Sequence, residues 1–219
     1  MYQTTTLADM ARAGAKRGEA RPTQTRAAIV AATISALGEV GFSGTSARAV
    51  AERAGVAPGG VFYHFGSMDD LLIEVFATCL DRRIARLRAA VDVPAPGLPA
   101  AFADAVRAEL THVESRALLE LTVGAIDSPV LAARVREGLE ASFRFTREVV
   151  EVMLDGSPLA GILPLDLVAQ VAASAFFGLA VMELIGTGVD IDGMTALVNT
   201  LLTFARGESD LSALLGGGD

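Results

Sequence analysis

The 219 residues are 52% hydrophobic and 20% charged, with a net charge of −8; that is apolar enough for a substantial core and excludes a disordered polyelectrolyte. The only cysteine, Cys79, excludes an intrachain disulfide and a cysteine-based metal cluster, and together with an N-terminal stretch lacking a signal-peptide core it leads us to expect a cytoplasmic protein. Charge is unevenly spread: residues 1–91 hold 11 Lys and Arg against 8 Asp and Glu, whereas the remainder holds 7 against 18, a weakly basic head on an acidic body.

Residues 1–23 mix Thr, Ala, Gly, Arg and Lys without apolar periodicity and read as a flexible N-terminal arm, with Lys16, Arg17 and Arg21 as candidates for a minor groove. From Thr25 the pattern turns helical, with Ile29, Ala32, Thr33, Ala36, Leu37 and Val40 recurring at three and four. Gly41 ends this first helix. Thr45 or Ser46 caps a second, which turns Ala47, Val50, Ala51 and Ala54 inward and stops at Gly55. Pro58 suits the first turn of a short third helix whose apolar face is Val61, Phe62 and Phe65. Ser67, with Asp70 three residues on, resembles a capping box and starts a long helix through Leu71, Leu72, Val75, Phe76 and Leu80 towards Ala90. Its Arg82, Arg83, Arg86 and Arg88 read as a solvated face. Pro and Gly break the chain at 93–97. Further helices are expected near 99–112, 115–127, 129–154, 164–186 and 192–205. The stretch from Leu167 to Met182 includes Gln170 and Ser174, falls short of a spanning helix, and reads as buried. No strand pattern emerges, so the fold class is all-α. The expected domains are 24–66, a three-helix DNA-binding unit, and 67–206, a helical effector-binding and dimerisation unit; 207–219 reads as a flexible C-terminal tail.

The informative motif is TSARAVAERAGVAPGGVFYHF, residues 45–65: two short helices, a glycine turn, and a small residue, Ala51, where the helices would cross. With Thr25-Arg26, Gly41-Phe42, Arg48, Ser67 and Leu71-Leu72, residues 25–76 resemble the DNA-binding domain of the TetR/AcrR family of transcriptional regulators. The resemblance implies that the third helix enters the major groove of double-stranded DNA while the second braces the backbone. Carried over residue by residue, it points to Arg26, Thr45, Ser46, Arg48, Pro58, Gly59, Gly60, Tyr63 and His64 as DNA-binding. Thr45 and Ser46 offer hydroxyls and N–H groups to phosphate at a helix start, Tyr63 and His64 match phosphate-contacting positions, and Arg48 matches one that reaches a base edge in some members. Three departures imply modest affinity: Gly59-Gly60 where larger side chains are common, Phe62 for a tyrosine, and Met68 for a lysine.

The body resembles the family only in length and helicity. The family's mode of action implies a homodimer on a palindromic operator, released as a repressor when a small-molecule effector binds; activators and ligand-independent regulators share the same head. Pocket candidates are Phe102, Leu118, Leu121, Thr122, Phe143 and Phe176, with Phe145, Met153 and Met182 beside them, and with Arg116, Glu120 and Arg147 as polar groups that orient an apolar or aromatic ligand. Small residues in the helix near 164–186 (Ala172, Ala175, Gly178) and Leu197 and Leu201 in the next are the candidate dimer interface. His112, Glu109, Glu114 and Glu120 show no nucleophile–base spacing, so no catalytic residue, metal or cofactor is expected. A rival reading of a different class is a helical small-molecule-binding protein whose head has lost DNA binding.

Overall fold

The computed structural model describes residues 7–92 and 98–205. The break at 93–97 and the tail at 207–219 lie outside these residues. Among the described residues nine α-helices follow in order: α1 Leu7–Gly44, α2 Ala47–Ala54, α3 Gly60–Phe65, α4 Met68–Val91, α5 Leu98–Thr111, α6 Val113–Gly124, α7 Pro129–Met153, α8 Leu165–Leu184 and α9 Ile191–Ala205. Short 3-10 turns at Ala125–Asp127 and Pro158–Gly161 precede α7 and α8. Among the described residues there is no strand. Helix positions agree with the sequence expectation to within a few residues at each end.

The clearest difference lies at the N-terminus. Residues 7–23, expected as part of an arm, are already helical and run on through Pro22 into α1. Ala, Arg, Lys and Glu dominate this stretch, and these are good helix formers whatever their apolar spacing. The side chains of Lys16, Arg17 and Arg21 lie outside the described residues. At the other end of α1, Gly41 takes φ 73° and ψ −177°, a kink that only glycine adopts without strain. Thr45 then donates its hydroxyl to the Gly41 carbonyl at 2.7 Å. Pro58 lies in the turn ahead of α3 rather than in its first helical turn: the Gly60 amide donates to Ala57 at 2.7 Å and closes that turn.

One hydrophobic core runs through the head and into the body. Ile29 and Leu37 of α1, Val50 of α2, Val61 and Phe65 of α3, and Leu71, Val75 and Phe76 of α4 are buried together with Leu118 and Leu121 of α6 and Leu131 of α7. The boundary expected at residue 66/67 is therefore a helix start inside a continuous core. Ser67 does cap α4: its hydroxyl accepts from the Asp70 amide at 3.0 Å and donates to the Asp70 carboxylate at 2.6 Å. A smaller cluster, Leu87, Phe145 and Val149, forms farther along α4 and α7.

α8 departs from expectation. It was read as too short to span a membrane and as buried, yet on length and composition it is apolar enough to cross one, and within the single chain only 11% of it is buried. Only Ala169 and Ala180 are buried in it. Its apolar periodicity runs nearly all round, so spacing cannot reveal which face a single chain leaves open.

Candidate nucleic-acid interface and apolar cavity

The head builds its presenting surface from a rigid two-helix lock. Ser46 caps α2, its side chain accepting from the Ala49 amide. Gly55 ends α2 in the left-handed region, φ 67°, and the Val56 amide donates to the Ala51 carbonyl at 3.0 Å. The chain thus reverses in a few residues and delivers α3. Val61 and Phe65 turn into the core and fix the angle of α3, with Val61 fully buried. Phe62, expected on that inner face, is half-exposed instead, and Tyr63 is 86% exposed, its ring meeting His64 edge-on at 5.1 Å. With a period of 3.6, residues 61 and 65 share a face, and 62 falls outside it.

The expected DNA-binding residues divide into two groups. Ser46, Arg48, Pro58, Gly59 and Tyr63 are exposed on α2, α3 and the turn between them, and Thr45, Gly60 and His64 are partly exposed beside them. Arg48 makes no ion pair among the described residues. Arg26 is different. It donates through Nε to Glu74 at 3.0 Å, pairs with the same carboxylate through a second nitrogen, donates to the His64 carbonyl at 2.5 Å, and lies 4.1 Å over the Phe65 ring. Its guanidinium ties α1, the end of α3 and α4 together. That arrangement argues for positioning the recognition helix rather than touching phosphate.

The body meets the head through α6. The Phe42 amide, just after the Gly41 kink, donates to Glu120 at 2.9 Å. The Phe42 ring rests on Gly124 so closely that any β-carbon there would collide with it. Glu120, expected to orient an effector, therefore docks the head. Arg116 is exposed and Leu121 belongs to the shared core. Arg147 pairs with Glu151 and with Asp166 of α8, both at 2.9 Å. None of these four lines either of the two cavities that open in the body.

The cavity itself is large. A space of about 570 Å³ lies among α4, α5, α7, α8 and α9, and is lined mainly by Leu87, Phe102, Val149, Met153, Phe176 and Val198. A second space of about 270 Å³ adjoins it through Phe176 and holds Leu118, Thr122 and Phe143. Seven of the twelve expected pocket residues, Phe102, Leu118, Thr122, Phe143, Phe145, Met153 and Phe176, thus line one or the other. Ala172, Ala175 and Leu201, expected at a dimer interface, line the large cavity. Leu197 is 60% exposed and Leu201 55% exposed, while Gly178 is partly exposed.

The arginines of α4, read as a solvated face, hold the body together. Arg82 donates to Glu114 at 2.8 Å, Arg86 to Glu114 at 2.6 Å and to Glu109 through two nitrogens, and Arg88 to Glu148 at 2.9 Å. Ser115 also donates to Glu109, at 2.7 Å. Burial alone would raise the pKa of Glu109 and Glu114. The hydrogen bonds and charges of the arginines, with Ser115 for Glu109, outweigh it and keep both below the usual carboxylate range. His112 caps α6, its Nδ1 accepting from the Glu114 amide at 3.2 Å. Glu120 lies apart on the Phe42 amide, whereas Glu109, Glu114 and His112 are joined in one network with Arg82 and Arg86 of α4. Cys79 is fully buried beside it, and burial pushes its thiol up to about 12.

A short helix held outward by a buried lock, on an all-helical body, defines a helix-turn-helix unit joined to a helical domain. Residues 29–75 match the family model described as bacterial regulatory proteins, tetR family. An uncharacterized helix-turn-helix-type transcriptional regulator of Mycobacterium tuberculosis (strain ATCC 25618 / H37Rv) is 33% identical over 115 residues, 51% of this chain; the chain spans only 58% of that relative's length. The fold superposes on a putative TetR-family regulator from Rhodococcus sp. with a TM-score of 0.66 at 19% identity, covering 84% of this chain and 99% of that one. It also matches a putative transcriptional regulator from Pseudomonas aeruginosa PAO1, with a TM-score of 0.66 at 21% identity over 83% and 89% of the two chains.

Proposed function

We propose that the protein is a cytoplasmic, non-enzymatic transcriptional repressor that binds a palindromic operator as a homodimer and leaves it when a small apolar or aromatic effector enters the body. The observation that carries this reading is the pairing of an outward recognition helix, α3, with a 570 Å³ apolar cavity reached by the same helix, α4, that begins at the end of α3. The volume falls within the usual range for ligand sites. Similar folds support the idea: one is a multidrug-binding protein solved with imidazole, another a regulator of fatty acid degradation from Bacillus halodurans.

On DNA, Tyr63, His64, Thr45 and Ser46 serve phosphates, Arg48 reads a base edge, and the turn at Pro58-Gly59-Gly60 lets the backbone come close. Arg26 acts by holding α3 from behind. The exposed apolar residues of α8 and α9, including Leu167, Val171, Phe177, Val181, Leu197 and Leu201, form the face on which a second copy packs. Effector binding shifts a population: it must prefer the geometry that misfits the operator, since equal affinity for both states moves nothing. Selection of duplexes from a random pool tests the reading. Enrichment of a palindrome that the effector releases supports it; no enrichment favours the rival, a small-molecule-binding protein with a silent head. Because Phe62 and Met68 supply neither a hydroxyl nor a charge, binding should weaken only moderately with salt, each ionic phosphate contact adding a slope of about −0.9.

A further inference from the structure

The large cavity is mainly apolar, and the one charged residue among its described lining residues is a cation, Arg83. Ser142, Thr146 and Thr195 line the space, but each hydroxyl donates to a carbonyl of its own helix. Among the described lining residues this leaves Arg83 and Asn199 with donors uncommitted. Arg83 sits where the large and small cavities meet and lines both. It makes no ion pair among the described residues; its one partner is the Phe176 ring, 4.4 Å from the guanidinium carbon. Glu109 is the nearest candidate counterion, yet both its oxygens are taken by Arg86 and by Ser115. Glu114 is likewise held by Arg82 and Arg86. Three guanidiniums thus face two carboxylates, and the surplus positive charge rests on Arg83, inside the cavity mouth. A cation withdrawn from water without a counterion is costly. Burial indeed pulls its pKa below the ordinary arginine value.

We propose that the effector is an amphipathic monoanion, an organic acid whose carboxylate pairs with Arg83 and whose apolar body fills the space between α7, α8 and α9. The inference rests on the cavity being the effector site. A single unbalanced charge suits a monocarboxylate better than a phosphate dianion. The guanidinium offers its edge as a planar fork while Phe176 covers its face. The remaining wall, with Val149, Met153 and Val198, holds no second charged group among the described lining residues, and Asn199 adds only a neutral amide.

Displacement of the neutral dye Nile red from the full-length protein, with decanoate and 1-decanol as matched probes, tests this. A cavity without a counter-charge favours the alcohol, because the carboxylate must shed its water. We expect decanoate to displace the dye at a concentration about tenfold lower than decanol, Arg83→Gln to erase that margin, and Arg83→Lys to keep part of it. Equal displacement by the two probes in the unaltered protein, or a margin that survives Arg83→Gln, overturns the proposal while leaving the cavity reading intact. The probe comparison in the unaltered protein decides the matter even where Arg83→Gln does not fold. Dye binding that is indifferent to Val149→Trp, which fills the cavity, overturns the cavity reading and this inference with it.

Discussion

The head and the far side of the body solve opposite problems. In the head the large apolar residues are mostly covered: Ile29, Leu37, Val50 and Val61 are fully buried, and the exposed ones are Val40 at the end of α1 and Phe62 and Tyr63 on the presenting face. In α8 and α9 the situation is reversed, with Leu167, Val171, Leu197, Val198 and Leu201 all more than half exposed around an internal void. Exposed apolar patches of this kind mark interaction sites in soluble proteins. One region is finished within a single chain; the other leaves apolar surface uncovered.

The comparison can be broken from the body's side most forcefully. Leu197→Asp together with Leu201→Asp should yield a monomer by light scattering. The same pair should lower operator affinity by about 100-fold or more, since two linked half-site contacts become one. A variant that stays dimeric would place the interface elsewhere. At the junction, Gly124→Val drives a branched side chain into the Phe42 ring. Overpacking of that sort should cost about 3 kcal/mol, read as a lowered midpoint in urea with an unchanged slope. Arg48→Ala tests the head alone: about 2 kcal/mol of operator affinity should go, together with selectivity at one base pair, while the melting temperature stays put. Glu120→Gln keeps the acceptor for the Phe42 amide but loses its charge. A stability loss of about 1 kcal/mol is expected, with an altered effector response as the sharper readout.

The smallest effect near neutrality comes from pH. Glu109 and Glu114 have lowered pKa values in the fold, so the unfolded chain takes up their protons first as pH falls. Their contribution is therefore complete above the unfolded carboxylate value, near 4.5, and drains away as pH drops through the lowered folded values. Denaturant midpoints should be level from pH 7 to 5 and then decline; Glu109→Gln should flatten part of that decline.

Local chemistry was legible in the sequence where one residue type answers one local need. Ser46, Gly55 and Ser67 occupy the caps and turn their types suggest, and the head's core spacing placed the inward faces of α1, α2 and α4, with Val40 the exception at 54% exposed. Long-range partnerships were not legible. α6 is packed on two sides, against α1 and against α4 and α8, so apolar periodicity could not separate Leu118 and Thr122, which meet the cavity, from Leu121, which meets the core, or from Glu120, which meets the head. Arg83 did leave a trace: with Phe76, Leu80 and Leu87 it keeps the three-to-four spacing of the buried face of α4. A charged residue in an inward register signals a cavity or a buried pair. The neighbouring arginines masked it, because four in seven residues look like a solvated stripe.

α4 is 24 residues long, about 36 Å at 1.5 Å per residue. Its first turn abuts the recognition helix and its last third borders the void. Pivoted on its midsection, where Phe76 and Leu80 crowd Gly138, such a rod works as a lever. A tilt of about 5° would swing either tip by about 1.5 Å, and two-fold symmetry would double that in the spacing between paired half-site contacts. Detection need not unfold or rebuild anything; it only has to rock one stiff beam.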